Sequence, residues 1–185
     1  MKLNVIMTST RPGRVGPAIG TWFHEYATQN SSGFDIELTD LAELALPMFN
    51  EPKHPSLQDY QHAHTKKWAS IVESSDAFVF VLPEYNFSAP SSFFNAMDYL
   101  VKEWHYKAVG FVSYGGVSGG IRAVQSVKGY LTTFKLMPLP EQVMIPMVTQ
   151  HLNDGVFQPE QIHRDSATTM ITELAKVAKV LGDLR

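Results

Sequence analysis

Residues 78–90, Phe-Val-Phe-Val-Leu-Pro-Glu-Tyr-Asn-Phe-Ser-Ala-Pro, constrain the fold more than any other stretch of the chain. Phe78 to Leu82 carries β-branched, aromatic and aliphatic side chains with no polar alternation. That is the pattern of a strand buried on both faces in the middle of a parallel sheet. Pro83 has no N–H to give to a ladder and is expected to end the strand. A polar and aromatic loop follows, and Pro90 is expected as the first residue of a helix carrying Phe93, Phe94, Met97 and Leu100. Buried strands that run out into polar loops mark the ligand edge of open α/β sheets. An ordinary connection that happens to hold a Tyr and a Glu reads the same way, so this stretch alone leaves both open.

The remaining segments alternate in the same manner. Leu3 to Met7 reads as a short buried strand, followed by the loop Thr8 to Pro17 and a helix with Ile19, Trp22, Phe23 and Tyr26 on one face. The turn cluster at residues 30–33 ends that helix. Phe34, Ile36 and Leu38 alternate with polar residues, which predicts a half-buried edge strand. Residues 41–55, with Pro47, Pro52 and Pro55, predict a surface loop after one helical turn. Ser56, with Asp59 three residues on, predicts the cap of a helix that turns Leu57, Tyr60, Trp68, Ile71 and Val72 inward.

Ala108 to Val112 reads as a further buried strand, leading into the glycine-rich loop Ser113 to Gly120. Ile121 to Lys135 predicts a helix that buries Ile121, Val124, Val127, Leu131 and Phe134. Val143 to Ile145 is a short last strand bounded by Pro140 and Pro146. Gln158-Pro159-Glu160 opens a final helix with Met170, Ile171, Leu174, Val177, Ala178 and Leu181 on its apolar face. Five strand–helix alternations without a linker or repeat imply one α/β domain over residues 1–185, a parallel sheet with helices on both faces. Five strands fit the three-layer flavodoxin-like order 2-1-3-4-5, with its switch point between the first and third strands.

Composition removes several classes of function. A net charge of −3 and a pI near 6.1 lack the basic face that nucleic acid demands. With no cysteine there is no disulfide framework, thiolate metal site or redox thiol, so any electron chemistry must be carried by a cofactor. No cationic-then-apolar leader precedes the first strand, and no run reaches the ~18 apolar residues of a membrane span. The expected location is the cytoplasm, with no membrane and no nucleic-acid partner. His62 and His64 are two apart and lack an acidic partner at helical spacing, which favours surface or packing roles over a metal site. His105, between Trp104 and Tyr106, reads as packing or interface.

In a parallel sheet the strand-to-helix loops leave by one edge, so the loops after strands one, three and four converge. The first offers the hydroxyls of Thr8, Ser9 and Thr10 and the guanidinium groups of Arg11 and Arg14, then enters a helix near Gly16-Pro17. Free N–H groups and the positive dipole end of a helix start form an anion site, which hydroxyls and arginine complete as a phosphate cradle. Solvated arginines and hydroxyls that merely cap the helix are the alternative. The loop lacks the Gly-Lys-Ser/Thr ending of a P-loop and is not Gly-x-Gly-x-x-Gly. The second loop sets Tyr85 and Phe87 around Asn86, a mixture suited to a flat, partly polar ring. The third combines Tyr114 with four glycines, so backbone can approach a planar ligand closely. Phosphate at one end and a ring between two loops describe a mononucleotide, most often FMN at this position.

Ser-Thr-Arg-Pro-Gly-Arg after strand one, Pro-Glu-Tyr-Asn-Phe-Ser-Ala-Pro with Asn-Ala-Met-Asp-Tyr-Leu after strand three, and Glu-Trp-His-Tyr-Lys with Ser-Tyr-Gly-Gly beyond it resemble the NADPH-dependent FMN reductase family. That family includes quinone, azo-dye and chromate reductases, and the similarity spans roughly residues 3 to 135. The resemblance implies that Ser9, Arg11 and Arg14, with the backbone of Val15 and Gly16, hold the FMN phosphate. Pro83, Glu84, Tyr85 and Asn86 would line the isoalloxazine, and Ser113, Tyr114, Gly115 and Gly116 would close over its other edge. Thr8 stands where the family usually has Gly, and Phe87-Ser88 occupies a variable position expected to shape substrate access.

The resemblance further implies a homodimer or homotetramer with FMN near the subunit contact. The expected cycle takes hydride from NADPH or NADH and reduces free flavin, quinones or related small acceptors by a ping-pong route. No protein side chain is expected in a catalytic role, because the bound flavin carries the chemistry. Glu84, the only acid in the motif, is expected to bond backbone rather than to move protons. The Phe93, Phe94, Met97, Tyr99 and Leu100 face is broader than one sheet contact needs and is expected at a subunit interface, with a place in the chain's own core as the alternative. The rival reading is a flavodoxin-type electron carrier without an NAD(P)H site; such carriers tend to be strongly acidic around the flavin, unlike this chain. A fold relative that has lost flavin is the third.

Overall fold

The computed structural model describes residues 1–31 and 33–185; Ser32, within the expected turn at 30–33, lies outside the described residues. Five strands form one parallel sheet: β1 (Lys2–Met7), β2 (Asp35–Asp40), β3 (Ala77–Pro83), β4 (Ala108–Tyr114) and β5 (Met137–Ile145), in the order β2-β1-β3-β4-β5. The helices are α1 (Gly16–Asn30), α2 (Leu41–Leu44), α3 (Ala63–Glu73), α4 (Ser91–Asp98), α5 (Ile121–Thr132) and α6 (Gln161–Gly182). This is the expected flavodoxin-like arrangement, with β3 in the middle. All seven residues of β3 are buried. Ala77, Val79 and Val81 face the layer that holds Phe23 of α1 and Met170 and Leu174 of α6. Phe78, Phe80 and Leu82 face the opposite layer, with Trp68 of α3, Phe93 of α4, Trp104, and Val124 of α5. An apolar side chain on both faces is what the unbroken run at 78–82 demanded.

Pro83 ends the strand as expected, as its last residue, paired with Tyr114. The N–H of Glu84 donates to Tyr114 on the β4 side, so an N–H at position 83 would point to the β1 side. There β1 pairing has already ended at Met7 and Val81, and the missing donor costs nothing. Pro90 is the N-cap of α4 rather than its first residue. The Phe93, Met97, Tyr99 and Leu100 face is fully buried in this chain's own core, with Phe94 packed against it, which corrects its expected place at a subunit interface. The physical reason is the aromatic cluster beneath it, in which Phe93 meets Phe80 and Phe94 meets Tyr130 edge to face.

The expected cap at Ser56 is also displaced. Pro55–Leu57 closes as a 3₁₀ turn on the His54 ring, Gln58 turns left-handed at φ 55°, and α3 starts only after His62. What decides the start is a distant carboxylate: Glu51 accepts the N–H groups of Gln61 and His62 at 2.8 and 3.0 Å. Asp59 pairs instead with Lys53, and Leu57 stays exposed. β5 begins at Met137, six residues before the expected Val143, because Pro138 and Pro140 lie on an edge strand where a ladder donor can be missing. The register against β4 slips between Val109 and Phe111 at that point. Ile121, expected to be buried, is only half-buried. A short hairpin, β6 (Leu152–Asn153) with β7 (Val156–Phe157), precedes α6; its Asp154-Gly155 turn, left-handed at φ 48° and 79°, is a signal the sequence reading missed.

The start of α6 carries a pH-sensitive device. The Glu160 N–H donates to Nδ1 of His163, which is 3% exposed, closing a capping box. Burial lowers the His163 pKa below its usual value, and the His151 ring 5.0 Å away lowers it further, against an opposing pull from Glu160. The neutral ring is thus the folded form. Between the unfolded pKa of about 6.5 and the lower folded value, the unfolded chain binds the extra proton, so stability should fall as pH drops through that window. Urea midpoints measured from pH 8 to 5 should show this slope, and His163→Gln, which can still accept the bond, should flatten it.

Candidate cofactor site

Three loops leave the C-terminal edge of β1, β3 and β4, and the structure brings them into contact. Tyr114, the last residue of β4, is 4% exposed and donates its hydroxyl to Ser9 Oγ at 3.2 Å. Burial pushes the Tyr114 pKa up to about 12, so the hydroxyl is a permanent neutral donor. Gly16 makes this reach possible: a Cβ there would overlap the Ser9 hydroxyl and stand 2.9 Å from the Tyr114 hydroxyl. Arg11 Nε donates to the Tyr85 hydroxyl at 3.2 Å, which ties the first loop to the second. Glu84 joins the second to the third: its N–H reaches the Tyr114 carbonyl, and its carboxylate takes Ser118 Oγ at 2.8 Å and Arg122 Nε at 2.6 Å.

The groups of the first loop divide into spent and unspent. Thr8 is spent, its hydroxyl on the Val81 carbonyl at 2.9 Å. Arg14 is spent as well. Its guanidinium forms a two-pronged pair with Asp40 at 2.9 and 2.5 Å and holds the Ser9 carbonyl at 2.8 Å, with little of either side chain exposed. The loop is thereby fixed from β2, at whose end the same Asp40 caps α2. Arg11 is exposed. Val15 is the N-cap of α1 and offers no side-chain cap, and the first turn holds no acidic residue. Among the described residues no acceptor is found for the backbone N–H groups of Val15 and Gly16. These donors sit at the positive end of a 15-residue helix, which is the setting for an anion.

The second loop is a tight turn in which Tyr85 and Ser88 exchange both backbone bonds, at 2.9 and 3.0 Å. Asn86 and Phe87 between them have φ of 50° and 66°. Two left-handed central residues make a type I′ geometry, normally served by Asn-Gly. A Phe in that region costs about 1–2 kcal/mol. Tyr85 is half-buried and Asn86 exposed. The Glu84 carboxylate feels desolvation, which pushes its pKa up, but the Arg122 and Ser118 bonds outweigh that and hold it below the usual carboxylate range. It is a bolt between loops rather than a proton carrier.

In the third loop Ser113 Oγ is turned onto the Gly119 carbonyl at 2.8 Å. Gly115 gives its N–H to Ile145, and the carbonyls of Gly115 and Gly116 accept from Val148 and Met147. The loop is thus fastened to the end of β5. A Cβ at position 115 would lie 3.3 Å from the Gly120 nitrogen, a tight contact within the third loop, and in ordinary contact with the Glu84 Cβ at 3.6 Å. A separate cleft of about 300 Å³ opens on the β2 side of the first loop, between Thr10, Leu41, Leu46, Met48, Ser92 and Asn95.

Sequence reasoning missed three of the residues that build this rim. Arg122, one residue into α5, carried a usable signal in its place directly after the glycine loop. Asp40 and Ser118 carried none, because their partners are 26 and 34 residues away. His62 and His64 stack on each other at 5.0 Å and bond Asn50.

Residues 1–150 match the family model for NADPH-dependent FMN reductase. The chain belongs to that family. It is 35% identical to the NAD(P)H-dependent FMN reductase C4B3.06c of Schizosaccharomyces pombe, over 98% of this chain and 88% of that protein. It is 28% identical to the NAD(P)H:quinone oxidoreductase of Solanum tuberosum, over 98% and 95%. Among solved structures it shares its fold with the flavoenzyme FerB of Paracoccus denitrificans, at a TM-score of 0.73 and 19% identity over 97% of each chain. The protein is accordingly an oxidoreductase that works with FMN and NAD(P)H. The uncapped helix start and the Gly16 and Gly115 contacts fit such a group, with donors at one end and bare backbone at the other.

The Arg14–Asp40 pair gives a direct check on how this loop is built. Asp40→Asn keeps a cap for α2 but leaves the guanidinium without its counter-charge. Urea denaturation should show a loss of about 3 kcal/mol, partly recovered by adding Arg14→Gln. A loss within the ~1 kcal/mol of a surface pair would mean that solvent, not Asp40, satisfies Arg14.

Proposed function

We propose that the protein is a single FMN-binding domain, residues 1–185, that takes hydride from NAD(P)H and reduces free flavin, quinones or related small acceptors by a ping-pong cycle. The reading rests on the meeting of Ser9, Tyr85 and Tyr114 at one rim, beside a helix start where the N–H groups of Val15 and Gly16 find no acceptor among the described residues. FMN, when bound, supplies the hydride-accepting and electron-donating chemistry.

The residues of the chain bind, orient and exclude water. Ser9 accepts from Tyr114 and so keeps its own proton to give to a phosphate oxygen. Arg11, exposed and bonded through Nε alone to Tyr85, adds a charge-assisted bond, and the N–H groups of Val15 and Gly16 complete the cradle. Arg14 contributes by holding the loop in shape. Pro83, Glu84, Tyr85 and Asn86 line one side of the ring, and Ser113, Tyr114, Gly115 and Gly116 the other. Here backbone groups and the Tyr85 ring do the contacting, while the Glu84 carboxylate and Ser113 hydroxyl stay engaged with their own loops. With Glu84 locked, no side chain of the rim serves as general acid or base. The donor and the acceptor occupy the same open face in turn, which is what makes the cycle ping-pong.

The protein is proposed to act in the cytoplasm as a homodimer or homotetramer with the flavin near the subunit contact. Met48, on the wall of the cleft beside Thr10, and its neighbour Phe49 are 76% and 40% exposed and supply apolar surface for such a contact. Among the described residues no helix is long and apolar enough to cross a membrane.

Purified protein should carry yellow FMN and lose that colour within seconds when mixed anaerobically with NADPH or NADH. A carrier of the flavodoxin type would keep its colour, and a chain that has lost flavin would not retain FMN added in micromolar excess. Arg11→Ala should weaken FMN binding roughly ten- to a hundredfold, the worth of one charge-assisted hydrogen bond. Unchanged affinity in a fluorescence titration would remove Arg11 from the phosphate site.

A further inference from the structure

The turn between Tyr85 and Ser88 holds a bulky aromatic residue where glycine is ordinarily required, and the chain keeps it there. Phe87 has φ 66° and is 63% exposed, so neither backbone preference nor core burial explains its place. Its ring does have one partner: the Arg122 guanidinium stands 4.0 Å from the ring centroid. That guanidinium is itself immobilised by the Glu84 carboxylate and the Ser118 hydroxyl. On the other flank of the same turn, Arg11 bonds the Tyr85 hydroxyl and lies 6.0 Å from its ring. The Ser88 hydroxyl meets Ser126 of α5 at 3.3 Å. Tyr85 and Ser88 are thus braced, and the Phe87 ring has Arg122 against one face while 63% of the residue is open to solvent.

From this we infer that Phe87, backed by Arg122, is the stacking wall for planar aromatic acceptors and sets the preference of the enzyme for them over compact, non-aromatic oxidants. The inference rests on the reading of this rim as the flavin site and adds to it the residue that selects the acceptor. An exposed aromatic ring with a cation fixed behind it presents a flat face at little cost in conformational freedom, because both members are already ordered. A two-ring quinone or an azo compound has a matching flat face; ferricyanide has none. The neutral Arg122–Glu84 pair gives the wall no net charge, so the selection is by shape and stacking rather than by the sign of the acceptor.

Phe87→Gly is the informative variant, since glycine takes the left-handed backbone without strain and spares the Glu84–Arg122 bolt. The FMN-loaded enzyme is compared with Phe87→Gly and Phe87→Tyr by FMN content, anaerobic bleaching with NADPH, light scattering, melting temperature, and kcat and KM for a naphthoquinone and for ferricyanide. The expected result for Phe87→Gly is a naphthoquinone KM raised about three- to tenfold, the worth of one aromatic stack. Ferricyanide kinetics, bleaching rate, FMN content and oligomer size stay unchanged, the melting temperature is equal or higher, and Phe87→Tyr restores the quinone KM. An unchanged quinone KM, an equal rise for ferricyanide, or a change of oligomer size overturns the assignment. If the unmodified enzyme neither retains FMN nor bleaches, the flavin reading itself falls, and that is seen before any variant is compared.

Discussion

The hydrogen bond from Tyr114 to Ser9 is the constraint on which the functional rim depends. β1 and β4 are not neighbours in the sheet, because β3 lies between them. Their loops would therefore stand about two strand spacings apart, near 10 Å, unless a side chain spanned β3. Tyr114 spans it, and it can do so only because position 16 has no Cβ to occupy the same space. The contact is buried, so it acts in a low-dielectric setting where a lost partner is costly. One hydroxyl thus sets the distance between the first and third loops.

Two ion pairs hold the flanks of that rim and explain why its charges are less available than the composition suggests. Arg14 is committed to Asp40 at the end of β2, and Glu84 to Arg122 at the start of α5. In each pair one partner belongs to a cofactor loop and the other to the element beside it. Such pairs add little net stability over apolar substitutes, but breaking one leaves a poorly solvated charge, so the geometry they enforce is hard to relax. Their contribution is shape. The first loop is held open from the β2 side and the second is drawn toward α5, with the Tyr114–Ser9 bond between them.

What could be read from the sequence was whatever a local pattern carries. The buried run at 78–82, the amphipathic spacing of α1 and α6, and the hydroxyl- and glycine-rich loops all announce themselves locally; the parallel sheet followed from their alternation, and its order from the strand count and the loop chemistry. The errors share a physical origin in partners far away along the chain. Ser56 has the chemistry of a cap, yet α3 starts where Glu51 satisfies its first N–H groups. Pro140 reads as a bound of the last strand until that strand proves to be an edge that runs through it. The broad face of α4 looked like an interface because its covering aromatic residues, Trp104 and Tyr130, come later in the chain. Arg14 was read as a phosphate ligand with no view of Asp40. The left-handed pair Asn86-Phe87 was illegible for a different reason: the usual Asn-Gly signal is absent, and tertiary bracing stands in for the glycine.

That substitution bears on where the strain of the molecule is kept. The rim concentrates backbone that a side chain resists: Asn86 and Phe87 in the second loop, and Gly119 and Gly120, at φ 59° and 83°, in the third. At Gly120 a Cβ would lie 2.7 Å from the Tyr114 nitrogen, so glycine removes the strain there. Phe87 retains it, with an exposed ring that contributes little burial in return. Strain held in place by its surroundings at a ligand edge is more economically explained by what the ring meets there than by the stability of the fold. The polar groups of the rim point the same way. Those on Thr8, Arg14, Glu84 and Ser113 are consumed within the protein. Those left are the Arg11 guanidinium, bonded only through Nε, the Ser9 hydroxyl proton, and the N–H groups of Val15 and Gly16, beside the half-buried Tyr85 ring. Such a set suits an anion and a flat ring, which is why the proposed site leaves the chemistry to the bound flavin rather than to a side chain.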